Sequence, residues 1–336
     1  MNNQQRLKQY RESGQVFCPY LFLHYHLDTD KATKLCCHAS SSINGRTIEF
    51  DSSIYTNLRN KILDNQPLRY CNKCYEAEAA GYTSLRQRCI DDVDSRADLL
   101  FQQVEQHLQN KKIKPLWYDL RISNNCNLSC IMCGPIYSST WAKESGHNNT
   151  HLMYEPDIEI SADAYKIQLA GGEPFMIKKF ANMLGQITNT DCEIIVNTNA
   201  TVVTKPLMDQ LKRFRNVWIV ASIDGYGELN DRIRKGSKWN TVVQHLSTFQ
   251  QAGFTVLVNT VLQKDNVNHL YELGVFLQTV GINDWIISPL FEPKDLGWQQ
   301  QQNIAYENIE KTIELNSVQR NENSRTLLQH VLKGRP

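Results

Sequence analysis

No stretch of this sequence approaches the roughly 20 consecutive apolar residues that a membrane-spanning helix needs. The first fifteen residues are polar and mixed in charge, with no apolar centre, so they do not read as a secretory signal. An excess of charge is also missing: 36 basic side chains stand against 35 acidic ones, for a net charge of +1. That balance gives no electrostatic footing for a nucleic-acid binder or a membrane-surface protein. There is no internal repeat, and the one low-complexity stretch is the short glutamine run at 299–302. The expectation is a globular cytoplasmic protein with neither membrane nor nucleic acid as partner. Its 336 residues, 41% of them hydrophobic, suffice for one large domain or two modest ones.

Cysteine is present in quantity, at ten positions. In a reducing cytosol, grouped cysteines point to metal or catalysis rather than to disulfides. Cys126, Cys130 and Cys133 form one tight group. Cys18, Cys36, Cys37, Cys71 and Cys74 form a looser one, while Cys89 and Cys192 stand apart and read as small buried hydrophobes. Between the groups, Ile90, Val93, Ala97, Leu100, Val104 and Leu108 recur at three- and four-residue spacing. That predicts one helical stripe within 85–114, ended by Pro115.

From residue 116 onward, strand-like and helix-like stretches alternate. Strands are expected at 117–122, 166–170, 194–198, 217–222, 256–262 and 284–287. Thr204 and Pro206 predict a helix start, with Leu207, Leu211 and Phe214 on one face. Trp239, Val242, Val243, Leu246 and Phe249 predict a second helix, closed by Gly253. Repeated strand–helix units imply a parallel sheet with right-handed crossovers. Six units are fewer than the eight of a closed barrel, so the expected fold is α/β, a partial (β/α)6 TIM-type barrel. The expected divisions are a small module at 1–84, a helical linker at 85–115, the barrel at 116–290 and a helical extension at 291–336, with helix at 304–332.

The tight group has the spacing Cys-x3-Cys-x2-Cys. Thiolates are soft ligands suited to iron–sulfur clusters. Three of them can hold three irons of a [4Fe-4S] cubane and leave the fourth iron open to a cofactor or substrate. Zinc is the alternative, although zinc sites usually show four ligands in two pairs and no fourth cysteine or histidine follows closely.

Over 116–290 the sequence resembles the radical SAM superfamily. Besides the cysteines, Gly171-Gly172-Glu173-Pro174 looks like that family's glycine–glycine–glutamate segment. Asn197-Thr198-Asn199 ends the third expected strand, Ser222-Ile223-Asp224-Gly225 the fourth, and Asn230 to Arg234 lies just beyond. The string is similar to the SPASM or twitch subgroup, which carries auxiliary clusters. One departure is Met132, where the family often has an aromatic residue. All these motifs sit at C-terminal strand ends, where parallel α/β folds build their sites.

The resemblance implies a [4Fe-4S] cluster on Cys126, Cys130 and Cys133, with S-adenosylmethionine (SAM) on its open iron. Gly171, Gly172, Glu173, Pro174, Asn197, Asn199, Ser222, Asp224 and Arg234 would surround the cofactor, with Glu173 accepting from the methionyl amine. Cleavage of SAM by one electron from a flavodoxin- or ferredoxin-type donor would give methionine and a 5′-deoxyadenosyl radical, which abstracts hydrogen from substrate.

In the looser group, Leu21, Leu23, Tyr25 and Leu27 alternate with Phe22, His24 and His26. This predicts a hairpin turning at 28–30 that carries Cys18 back toward Cys36. Cys71 and Cys74 supply two more thiols. Four thiolates complete a closed cluster, and zinc on the same four is the alternative. His24 and His26 read as strand residues on one face rather than as ligands. The segment resembles the twitch half of SPASM domains, placed N-terminally. That resemblance puts Cys36 in the ligand position, with Cys37 as its alternate.

Three functions stay in view. One is oxidative radical SAM modification of a peptide or protein. Another is radical SAM modification of a small molecule such as a sugar or nucleotide. The third is a non-catalytic iron–sulfur or zinc module, in which 171–174 and 222–225 would have no purpose. Residues 1–17 are too short for a leader-binding domain, which weighs against a leader-dependent peptide maturase.

Overall fold

The structure, a computed structural model, describes residues 1–290 and 293–335. Of the expected extension at 291–336, Phe291, Glu292 and Pro336 therefore lie outside the described residues. The chain divides into two compact units. The first is Met1–Ile122, Pro156–Gln168 and Ile187–Cys192; the second is Ser123–Glu155, Leu169–Gln186 and Glu193–Pro336. Among the described residues, no helix is long and apolar enough to cross a membrane.

The first unit holds strands β1 (His24–Leu27), β2 (Thr33–Lys34) and β3 (Trp117–Leu120), with β4 (Lys166–Leu169) at its end, in the order β2-β1-β3-β4. β1 and β2 form the antiparallel hairpin, with His26 opposite Lys34. It is shorter than the alternation predicts, because Tyr20–Leu23 is a helical turn. Pro19 precedes that turn with φ −57°, the value proline favours for entering a helix. All four turn residues are buried, so their spacing carried no information about a face. β1 also pairs parallel with β3, His26 beside Asp119.

The long helix expected over 85–114 is two helices, Leu85–Asp92 and Ala97–Leu108, with a 3-10 turn Asp94–Arg96 between them. Asp91, Asp92, Asp94 and Ser95 crowd the break; such side chains compete for the backbone and disfavour helix interiors. Ile90, Val93, Ala97, Leu100 and Val104 are buried as the stripe predicts. Leu108, at 63% exposed, is not. His107 is buried instead, its Nε2 at 2.7 Å from Asn60 Oδ1.

The second unit holds β5 (Glu193–Thr198), β6 (Asn216–Ser222), β7 (Thr255–Leu262) and β8 (Asp284–Pro289), parallel and in sequential order. Buried and half-buried positions alternate along each, so Ile194, Val196, Ile219, Ala221, Val258 and Ile287 face the core. Helix Trp239–Gln251 adds Val242, Leu246 and Phe249 and ends before Gly253, whose φ of +81° suits glycine. Thr204 does precede helix Lys205–Leu211, but its hydroxyl donates to the Phe175 carbonyl at 3.0 Å rather than capping. The helical C-terminal stretch is broken into Tyr306–Glu314, Asn316–Gln319 and Glu322–Lys333. The fold class is mixed α/β with a parallel sheet, consistent with a partial barrel.

Candidate functional site

The segment Cys126 to Cys133 leads off the second unit and is irregular, so other groups must hold it. The Cys126 amide donates to Ser139 Oγ at 3.1 Å, and the Ser139 and Thr140 hydroxyls donate back to the Cys126 carbonyl. The Ser129 and Ile131 amides donate to the Lys235 and Ile233 carbonyls at 2.9 and 3.0 Å. Cys126 and Cys130 are buried, and Cys133 is half-buried. Met132 packs against the apolar cluster of Cys126, Leu128 and Cys130.

Two side chains direct N–H groups at the sulfurs. Asn199 Nδ2 lies 3.9 Å from Cys126 Sγ, and Arg234 Nη1 lies 3.9 Å from Cys130 Sγ. Arg234 is anchored by Asp224, Nη2 to Oδ2 at 2.7 Å, and Asp224 is wholly buried. The other Asp224 oxygen accepts from the Val261 amide at 2.7 Å, and the Asp224 amide donates to Asn230 Oδ1 at 3.0 Å. The motif at 222–225 and the one at 230–234 are thus one construction, which carries a fixed positive charge to Cys130. Burial pushes the Cys126 thiol up to about 12 and the Cys130 thiol up to about 11. They stay protonated near neutral pH unless a metal takes them as thiolates.

The glycine pair is set by close approach. The Gly172 amide donates to the Ser123 carbonyl at 2.9 Å and the Glu173 amide to the Asn125 carbonyl at 2.8 Å. A Cβ on Gly172 would stand 2.2 Å from the Asn125 carbonyl oxygen, so only glycine fits. Gly171, at φ +116°, also uses a conformation that glycine favours. Pro174 opens the 3-10 turn Pro174–Met176.

Glu173 is wholly buried and accepts three hydrogen bonds from protein donors. Oε1 accepts from the Phe175 amide at 3.1 Å and from Thr198 Oγ1 at 2.7 Å, and Oε2 accepts from the Asn199 amide at 2.8 Å. In this arrangement its carboxylate aligns 198–199. Burial pushes its carboxyl up to about 7, against the pull of those hydrogen bonds. Asn197 and Ser222 are half-buried near the C-terminal ends of β5 and β6. Asn127 was not singled out from the sequence, yet its Oδ1 accepts from Asn199 Nδ2 at 3.1 Å and its Nδ2 donates to Thr201 Oγ1 at 2.8 Å. It lies between two of the cysteines, the one signal that could have marked it.

The first unit gathers the other thiols. Cys18, Cys36, Cys71 and Cys74 line one cavity together with Tyr20 and Arg86. Cys37 is exposed and Cys89 is buried, and neither lines that cavity. Burial pushes Cys18 and Cys36 well up and Cys71 up to about 12. Arg86 is held by Glu78, Nη2 to Oε2 at 2.6 Å, and donates to the Phe17 carbonyl at 3.1 Å.

Residues 120–277 match the Radical SAM superfamily model. Among curated proteins, mycofactocin maturase MftC of Mycolicibacterium smegmatis is 24% identical over 170 residues, 50% of this chain and 43% of that protein. Fe-coproporphyrin III synthase of Methanosarcina barkeri is 26% identical over 49% of this chain and 41% of its own length. GTP 3′,8-cyclase of Vibrio parahaemolyticus is 26% identical over 53% of this chain and 54% of its own length. The chain thus spans about half the length of these relatives. Among solved structures, Streptococcus suis SuiB bound to S-adenosylmethionine aligns over 84% of this chain and 60% of that one, at 16% identity and TM-score 0.44.

Proposed function

We propose that this protein is a radical SAM enzyme of the twitch type, acting oxidatively on a peptide or protein. Cys126, Cys130 and Cys133 would hold a [4Fe-4S] cluster with one open iron for SAM. Cys18, Cys36, Cys71 and Cys74 would hold a second cluster. The observation that carries the first assignment is the pair of N–H donors, on Asn199 and Arg234, aimed at two sulfurs of the three-cysteine segment. Such donors are what a cluster thiolate uses and what tunes its potential.

When bound, the cluster supplies one electron to SAM, giving methionine and a 5′-deoxyadenosyl radical that takes a hydrogen atom from substrate. The chain's own residues do the rest. Gly172 lets the 171–173 backbone lie against the segment leading into Cys126. Glu173 orders Asn199 through its backbone amide. Asp224 fixes Arg234, whose charge offsets that of the thiolates. Asn197 and Ser222 are half-buried near the C-terminal ends of β5 and β6, where a ligand would lie.

For the second set, four thiols around one cavity suit a closed cluster, with zinc as the alternative on the same four. A redox-active second cluster could accept an electron and permit net oxidation, as twitch relatives of the resemblance do with peptides. A small-molecule substrate is the second possibility, favoured by the names of two relatives, GTP 3′,8-cyclase and Fe-coproporphyrin III synthase.

Metal analysis after anaerobic reconstitution tests this. The wild type should bind about twice the iron of the Cys126→Ala/Cys130→Ala/Cys133→Ala variant, which keeps iron–sulfur absorption from the first unit. Zinc without iron in that variant would remove the oxidative mechanism.

A further inference from the structure

A buried group of side chains in the first unit lies outside the cavity that Cys18, Cys36, Cys71 and Cys74 line. His24 and His26 are two apart on β1, so their rings share one face. β3 runs parallel beside β1 with Asp119 in register with His26, which places a carboxylate on that face. All three are buried, at 3%, 1% and 2% exposed. Their ligand-capable atoms lie within 4.8 Å of one another, and no other such group is found among the described residues.

The hydrogen bonds around them are incomplete in one respect. His24 Nδ1 lies 3.3 Å from the Leu35 carbonyl, a contact that makes it the donor and leaves the lone pair on Nε2. A metal-bound histidine characteristically donates its other ring nitrogen in this way. His26 Nδ1 lies 2.8 Å from Asp119 Oδ2. Asp119 Oδ1, however, is buried with no hydrogen bond. Arg121 Nε forms an ion pair with it at 3.5 Å, without the geometry of a hydrogen bond. The Lys166 ammonium lies over the Trp117 ring, 4.4 Å from its centre. Asp119 Oδ1 thus has a cation beside it and no hydrogen bond, although buried polar atoms are ordinarily hydrogen-bonded.

We propose that His24, His26 and Asp119 bind a divalent transition-metal ion, zinc by their donor set, that pins β1 to β3. Two imidazoles and one carboxylate are an established combination for zinc. The 2.8 Å between His26 Nδ1 and Asp119 Oδ2 is a hydrogen-bond distance; neighbouring ligands of a tetrahedral zinc with bonds of about 2.0–2.1 Å stand about 3.3–3.4 Å apart, so the pair has to open by about 0.5 Å as the ion replaces the shared proton. Arg121 competes with the ion for Asp119. Its removal should therefore tighten binding, whereas in a plain salt-bridged network the same change only removes a partner. From the sequence, His24 and His26 had no third ligand in view; the parallel pairing of β1 with β3 supplies it.

The test uses the full chain with its cysteine sites filled by anaerobic iron–sulfur reconstitution, then exposed to zinc and desalted. The zinc X-ray absorption edge is separate from that of iron, so the clusters do not interfere. About one zinc per chain is expected, in a nitrogen and oxygen shell at about 2.0–2.1 Å. Asp119→Asn and His26→Gln should each weaken zinc retention at least about tenfold, and Arg121→Gln should strengthen it. The proposal is overturned if the folded wild type keeps no zinc, or if the zinc shell is sulfur at about 2.3 Å without nitrogen or oxygen. Should the Asp119 variant not fold, the wild-type absorption spectrum and the Arg121 variant decide.

Discussion

Arg234 joins the buried Asp224 carboxylate to the Cys130 sulfur with one planar fork, and lysine cannot do both. Arg234→Lys should therefore keep the ion pair and lose the hydrogen bond to sulfur. The reduced cluster, being more negative, gains more from that bond, so the midpoint potential should fall. A shift on the order of 60 mV corresponds to about 1.4 kcal/mol for one electron. Potentiometric titration followed by electron paramagnetic resonance measures it, and an unchanged potential would show that Arg234 does not reach the cluster. Glu173 yields a second expectation. Its folded carboxyl keeps the proton up to about 7, while the unfolded one releases it near the ordinary 4.5. Between those values the folded chain binds more protons, so this residue's contribution to stability falls as pH rises. The slope is at most about 1.4 kcal/mol per pH unit. Urea unfolding of SAM-free protein at about pH 5.5 and about pH 7.5 should show a smaller difference for Glu173→Gln than for wild type. Sequence spacing brought Cys126, Asn199, Asp224 and Arg234 into consideration as separate motifs. It could not show that Asp224 serves Arg234, or that Glu173 accepts from Thr198 and Asn199, because those partnerships depend on which side chains the strands bring together.

At the level of elements, the strands of the second unit were legible because one face of each is buried and the other is not, as in β7. The Tyr20–Leu23 turn was not, since all of it is buried and its alternation had no meaning. The parallel join of β1 to β3 spans some ninety residues of chain, and no local pattern announces it. The break between the helices ending at Asp92 and starting at Ala97 was written in the aspartates, but the apolar stripe runs through it and masked it. The glycine segment after β4 is the element whose geometry leaves least latitude. With 2.2 Å between a new Cβ and a backbone oxygen, Gly172→Ala must push apart the strand-end segments that frame Cys126. Overpacking of this kind costs about 1–3 kcal/mol or more. The expected outcome is a lowered Tm with reduced iron incorporation. A variant as stable as wild type, with full iron content, would show that the segment relaxes freely.

Taken whole, the molecule places one cysteine set in each of its two compact units, and each set is enclosed by side chains of its own unit. The radical SAM match covers 120–277, and the second set, at 18–74, lies outside it. The two assignments are therefore separable, and loss of the N-terminal cluster need not remove the first. Substrate class is the least legible property, because neither spacing nor periodicity encodes what the polar side chains at strand ends bind. The central claim is that Cys126, Cys130 and Cys133 support reductive cleavage of SAM. Its most direct measurement is 5′-deoxyadenosine formed from SAM and a strong reductant by anaerobically reconstituted protein. The wild type should form it, and the Cys126→Ala/Cys130→Ala/Cys133→Ala variant should form none. Undiminished 5′-deoxyadenosine from that variant would contradict the assignment.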